Sequence, residues 1–221
     1  MKRFFLVIVI FVAAASVGAY AQKVKASLLA GMNMAQVDGD EVYGFYKPGL
    51  NLGIQAMAPL GNNFFLTLET NYNQKGAYQG KQSVDSLTRE YNLRLNYVEV
   101  PVILHYNDKD ILTAGVGFAY ARLLDATEEE HSGNVPPYTE TQGFNESDWL
   151  ALFDLQFRFY KQFYFNFRYS YSMFPIRERE FSAIGGPDNS WLRKQYNNTL
   201  MFRVSYRLNE KPATKSEAER R

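Results

Sequence analysis

The 221-residue chain contains no cysteine. That absence excludes a disulfide framework, thiolate metal ligation, a cysteine nucleophile and a lipid-modified N-terminal cysteine. Only His105 and His131 remain as nitrogen ligands, so neither a metal centre nor a cofactor is expected. Charge of one sign is lacking too: 24 Lys and Arg face 23 Asp and Glu. Without a basic field there is no sign of a nucleic-acid partner. Downstream of the first residues no apolar run approaches the roughly 20 residues that a membrane-spanning helix needs. Lysine is missing from the middle of the alternating segments described next, and sits instead at Lys25, Lys47, Lys75, Lys109 and Lys161.

The start of the chain has the three parts of a secretory leader: basic Lys2 and Arg3, an apolar run from Phe4 to Ala15, and small Ala19 and Ala21 around Tyr20. Cleavage after Ala21 leaves Gln22 first, so residues 1–21 are read as a signal peptide and 22–208 as one domain. The remainder, 209–221, is a polar tail too short to fold alone.

Eight segments alternate with a period of two, the signature of half-buried strands. They run from Lys25 to Val37, Pro48 to Pro59, Phe64 to Gln74, Glu90 to Tyr106, Ile111 to Leu124, Asp148 to Tyr160, Phe163 to Phe174 and Tyr196 to Leu208. In the seventh, Phe163, Phe165, Phe167, Tyr169 and Tyr171 oppose Tyr164, Asn166, Arg168, Ser170 and Ser172. In the fourth, Tyr91, Leu93, Leu95 and Tyr97 give way to Val98, Val100, Val102, Leu104 and Tyr106, a change of phase that predicts a β-bulge near Asn96 to Val98. The second face of the fifth segment is small: Thr113, Gly115, Gly117, Ala119 and Ala121.

Which face meets water is decided by the polar residues. A solvated strand surface carries lysine and glutamate; these faces carry Asn, Gly, Ser, Thr, Gln and single charges. The apolar faces are rimmed by aromatics, Tyr72, Tyr91, Tyr120, Trp149 and Tyr171 at one end and Phe64, Tyr106, Phe159, Phe163 and Tyr206 at the other, as expected at two membrane interfaces. Short connections alternate with long ones. The sequence therefore predicts an all-β, eight-stranded antiparallel up-and-down transmembrane β-barrel, with outer-membrane lipid and lipopolysaccharide around it and a monomeric state.

A barrel of eight strands is filled by its own side chains. The charges predicted to face the lumen are Glu69, Arg94, Glu99, Asp154, Arg158, Arg168, Arg203 and Arg207, a structural network that would line a pore if one existed. If the turn at Tyr160 to Gln162 is tight, with Phe159 facing Phe163, Asp154 lies opposite Arg168 and pairs with it. The small face of the fifth strand is expected to make room for the arginines. The stretch 125–148 is acidic, with Asp125, Glu128, Glu129, Glu130, Glu140, Glu146 and Asp148 and almost no counter-charge. It reads as a solvated loop, or more sharply as a site for divalent cations. His131 with Ser132 and a nearby glutamate is the one rim set that could serve catalysis, and its spacing satisfies no nucleophile-base geometry, so no enzyme is expected.

Leu28-Leu29-Ala30-Gly31-Met32-Asn33-Met34, Asn96-Tyr97-Val98-Glu99-Val100-Pro101-Val102 and Arg168-Tyr169-Ser170-Tyr171-Ser172 carry a resemblance to a known family. The chain resembles the porin-like, PorT-type outer-membrane β-barrel proteins of Bacteroidetes over essentially the whole of its length after the leader. The resemblance implies the fold and an outer-membrane location. Some members assist secretion, so the resemblance adds an accessory role there to the expectations; the filled lumen itself favours a structural or interaction role through outer loops or periplasmic turns, with a narrow channel as the alternative. The last strand departs from the usual aromatic ending, since Tyr206-Arg207-Leu208 runs on into the polar tail.

Overall fold

The computed structural model describes residues 24–40, 42–84, 87–108, 112–132, 138–140, 143–182 and 190–208. The leader and the 209–221 tail lie outside them, as do the side chains of His131, Ser132 and Glu140. The strands are β1 (Lys25–Asp38), β2 (Lys47–Gly61), β3 (Phe64–Val84), β4 (Leu87–Asp108), β5 (Leu112–Ser132), β6 (Tyr138–Glu140), β7 (Ser147–Tyr160), β8 (Phe163–Ser172), β9 (Arg177–Ser182) and β10 (Ser190–Arg207). Eight of them pair antiparallel in the order β1-β2-β3-β4-β5-β7-β8-β10, and β10 returns to β1 through Ser27↔Arg207 to Asp38↔Tyr196. Closure leaves the ring no free edge to template aggregation. Short β6 and β9 prolong the sheet beyond the ring by pairing with β5 and β10.

The period of two separates solvents, and it does so inside out. Ile54 and Val116 on the outer face are each 60% exposed, whereas Glu69, Asp154 and Arg168 on the inner face are 1% exposed or less. A water-soluble protein would bear the cost of that arrangement twice; a barrel in lipid gains from both faces. Aromatic pairs stand at both rims: Phe64 with Tyr106 and Phe163 with Tyr206, each 5.0 Å between centroids, at the turn end, and Tyr120 with Trp149, 5.3 Å apart, at the loop end.

At the turn end the chain reverses tightly. Gly61, Asn62 and Asn63 all have positive φ, 93°, 49° and 67°, which is why a Gly-Asn-Asn run occupies this corner. At the Lys161 corner, φ 42°, Tyr160 and not Phe159 pairs with Phe163, and the register shift falls between Arg158 and Tyr160. Beyond that shift Asp154 still stands directly across from Arg168.

Strand four differs from the sequence reading. Tyr91, Leu93, Leu95 and Tyr97 are buried and face inward, in phase with Glu99, Ile103 and His105, so β4 runs without the expected bulge. Arg94 is correspondingly exposed on the outer face rather than in the lumen, and Tyr91 is not part of the rim. The apparent change of phase reflects a change in what fills the interior, from polar residues at the turn end to apolar ones at the loop end. The extra residue belongs to β5: Asn96 pairs with Asp125 and Tyr97 with Leu123, which bulges Leu124.

Two of the long connections are mostly strand. β3 and β4 remain paired from Phe64↔Tyr106 to Val84↔Leu87, and the charged run after Arg177 forms a hairpin arm with β10. Lys75, placed by the sequence reading at a strand end, lies within β3, faces inward and is fully buried.

Candidate functional site: a charged lumen under an apical clasp

Halfway along the barrel four ionised side chains close a network. Arg168 donates through Nε to Asp154 Oδ1 at 2.6 Å and through Nη1 and Nη2 to both oxygens of Glu69, each at 2.8 Å. Arg203 donates to Glu69 Oε2 at 3.2 Å and to Asn166 Oδ1 at 2.7 Å, with Asp154 Oδ1 at 3.6 Å from its Nη2. The remaining lone pairs are taken by neutral donors: Gln55 and Asn71 on Glu69, each at 2.9 Å, and Asn166 and Gln156 on Asp154, at 2.7 and 3.0 Å. Two charges of each sign therefore cancel within a fully desolvated cluster, the condition under which buried ions are tolerable. His105 joins from β4, its Nε2 3.0 Å from Asp154 Oδ2 and its Nδ1 3.4 Å from Thr67 Oγ1.

Glycines give the long side chains their space. A Cβ on Gly31 would come within 2.2 Å of Phe202 O and 2.9 Å of Arg203 Cγ, and one on Gly115 within 2.3 Å of the His105 ring. Arg203 is thus accommodated by β1, while the small face of β5, expected to house arginines, houses the histidine.

Toward the loops the interior turns apolar. Leu93, Leu95 and Ile176 are fully buried there, packed with Val37, Val42 and Ala126. Above this plug Glu128 of β5 gathers four donors: Arg177 Nη1 and Nη2 at 2.5 and 3.0 Å, Arg179 Nη1 at 2.9 Å and the Tyr91 hydroxyl at 2.6 Å. Burial, the largest influence on Glu128, works against its ionisation. The hydrogen bonds from Arg177 and Tyr91 outweigh it and hold the carboxyl below its usual range. Arg177 also donates to Gln195 at 2.8 Å and lies 4.1 Å over the Phe144 ring, so the clasp ties three connections to the ring.

The model of the outer membrane protein β-barrel domain family matches residues 20–178, well over half of the chain. The chain belongs to that family. Among solved structures it is similar to the Yersinia pestis attachment invasion locus protein Ail in complex with the heparin analogue sucrose octasulfate, at 14% identity over 84% of this chain and 99% of that one, TM-score 0.48. It is similar also to Neisserial surface protein A, at 9% identity over 83% and 97%, TM-score 0.47. No curated protein matches.

In this outer-membrane barrel the residues picked from sequence fall into three places. Glu69, Asp154, Arg168 and Arg203 meet at mid-lumen. Glu99 lies higher, 2.5 Å from Lys75 Nζ. Arg158 and Arg207 guard the turn end around Tyr164, Arg158 donating to its hydroxyl at 2.7 Å and Arg207 lying 3.5 Å over its ring. A cleft of about 190 Å³ opens beside Arg207, between Lys25, Met57, Phe64 and Phe65. Arg94 belongs to none of these. Lys75, His105 and Arg177 were missed, and Glu128 and Asp148 were read only as part of the acidic stretch, although the inward parity of β4 and β7, once fixed, would have delivered His105 and Asp148.

The acidic stretch is not a free loop. Asp125 to Glu130 lie in β5, Asp148 faces the lumen from β7, and counter-charge arrives from Arg177, Arg179 and Arg122. The divalent-cation reading loses its premise, and among the described residues no three acidic or histidine side chains are set to hold a metal.

Asp40 supplies a pH handle on this apex. It is 4% exposed in the β1–β2 connection and accepts from Val42 N–H at 2.9 Å. Burial pushes its carboxyl up to about 7; the Val42 hydrogen bond lowers it, Asp38 raises it further, and Arg177 and Arg179 lower it. Because the folded state holds the proton more tightly than the unfolded chain, stability is highest below about pH 4 and is lost as pH rises to about 7, above which this term is flat. Urea midpoints measured from pH 5 to 7 should fall more steeply for the wild type than for Asp40→Asn; parallel slopes would contradict the assignment.

Proposed function

We propose that this protein is a closed outer-membrane barrel that works through its ends, as a structural or interaction protein at the cell surface or an accessory to secretion, and not as a solute channel. The observation that carries the reading is the mid-lumen cluster: Arg168 and Arg203, fully buried, cross the lumen from β8 and β10 to Glu69 on β3. A guanidinium locked by charge-assisted bonds to a facing strand obstructs a passage that eight strands leave barely wide enough for side chains.

The reading includes the finer expectations from sequence. Residues 1–21 are cleaved on export. The turn end faces the periplasm and the clasp faces outward, where lipopolysaccharide or a protein partner meets the loops. The barrel is of the PorT type found in Bacteroidetes. No catalytic step is assigned to any residue.

Planar-bilayer recording of refolded protein tests the closed state. The expected trace is flat for the wild type, and discrete steps for Arg168→Ala with Arg203→Ala, whose loss clears the cross-strand bonds. Steady wild-type conductance would replace this reading with the narrow-channel one.

A further inference from the structure

A second charged group lies in the lumen between the mid-barrel cluster and the apolar plug, and its charges do not cancel. Its acids are Glu99 of β4 and Asp148 of β7, 1% and 2% exposed; its base is Lys75 of β3, fully buried. Lys75 Nζ is 2.5 Å from Glu99 Oε1 and 5.3 Å from the centre of the Tyr97 ring. Asp148 uses one oxygen only: Oδ2 accepts from Ser172 Oγ at 2.8 Å and Asn197 Nδ2 at 3.0 Å. Among the described residues Asp148 Oδ1 has no hydrogen-bond partner, and neither has Asn197 Oδ1, on a residue 1% exposed. Asn197 Nδ2 is already shared between Asp148 and the Tyr97 hydroxyl, which fixes its amide oxygen as the free acceptor.

The count is thus two carboxylates against one ammonium, with two buried oxygens lacking donors. Distant charge cannot balance it. Asp154, which marks the mid-barrel cluster, is six residues along β7 from Asp148, ~20 Å at strand rise, and that cluster is neutral by its own arginines.

We propose that this upper-lumen group binds a small monovalent cation of the sodium class, liganded by Asp148 Oδ1 and Asn197 Oδ1 with Glu99 as the second negative charge. Oxygen donors select a hard cation. The charge count selects its valence, since one positive charge neutralises the group and two would overshoot. Burial of Glu99, Asp148, Lys75 and Asn197 makes the ion structural, held with the fold and not conducted, so the site stands whether or not the barrel serves secretion.

The test is equilibrium unfolding of the refolded full chain in zwitterionic micelles, with sodium chloride exchanged for choline chloride at constant ionic strength. One bound ion that the unfolded chain does not hold changes the unfolding constant up to tenfold for each tenfold change in sodium, a slope approaching one. Choline, a bulky quaternary ammonium that carboxylate and amide oxygens do not ligate, should give a slope of zero. Asp148→Asn, which removes the excess charge while keeping the Ser172 and Asn197 contacts, should fold in choline as well as in sodium and lose the slope. Sodium-23 relaxation should broaden with wild type and not with the variant. Identical wild-type unfolding in sodium and choline would overturn the proposal and leave a proton or water as the partner of Asp148.

Discussion

Replacing Arg168 by methionine lowers the stability of the folded barrel by about 3–5 kcal/mol, the range for removing one partner of a buried ion network. Arg168 makes three of the short charge-assisted bonds at mid-lumen, and its loss leaves Arg203 as the one arginine facing Glu69 and Asp154. Neither carboxylate can turn to water. The same argument predicts that Asp154→Asn combined with Arg168→Met recovers part of the loss, because the remaining Glu69 and Arg203 again cancel. A double-mutant cycle by urea unfolding in micelles measures the coupling, and strict additivity of the two substitutions would count against a shared network.

The second large effect lies on the outer face. Ile54→Arg should cost about 2–4 kcal/mol when refolded into bilayers, the range for arginine near the middle of a lipid-facing strand. Ile54 pairs with Leu28 on one side and Thr70 on the other and is 60% exposed. In a water-soluble protein an arginine at so exposed a position would change stability little. The substitution therefore separates the two solvents by sign and size, and a refolding free energy unchanged within about 0.5 kcal/mol would mean that Ile54 faces water.

These two positions also show how much could be read before the structure. Strand count, closure and the lipid face followed from alternation, because in β8, and in β2 apart from Met57, polar and apolar residues divide cleanly between the faces. The Asp154 and Arg168 register followed from a turn argument whose details were wrong, since Tyr160 takes the place expected of Phe159 and a compensating shift restores the pairing. Strand four failed for a physical reason: a period of two fixes which residues share a face but not which face is inside. Where the lumen changes from Glu99, Ile103 and His105 to Leu93, Leu95 and Tyr97, hydrophobicity ceases to mark lipid.

The site was less legible than the fold. Glu69, Asp154, Arg168 and Arg203 are single charges on polar faces and declared themselves. Glu128 and Arg177 did not, because they belong to stretches that read as loops and meet only after β5 and β9 extend past the ring. Lys75 was hidden by the assumption that β3 ends near Gln74. The strand in fact runs to Val84, which moves that lysine from the rim to the interior.

The absence of cysteine permits the most direct test of the central claim, that the apolar faces meet lipid while the charged faces are packed inside. Single cysteines placed in turn at Leu50, Leu52, Ile54, Ala56 and Ala58 of β2, each carrying a nitroxide, report collision with lipid-soluble oxygen and with a water-soluble nickel chelate in bilayers. All five should favour oxygen over the chelate, most strongly near Ile54 and less toward both strand ends. Free access of the chelate at Leu52 and Ile54 would place water on this face and contradict the account.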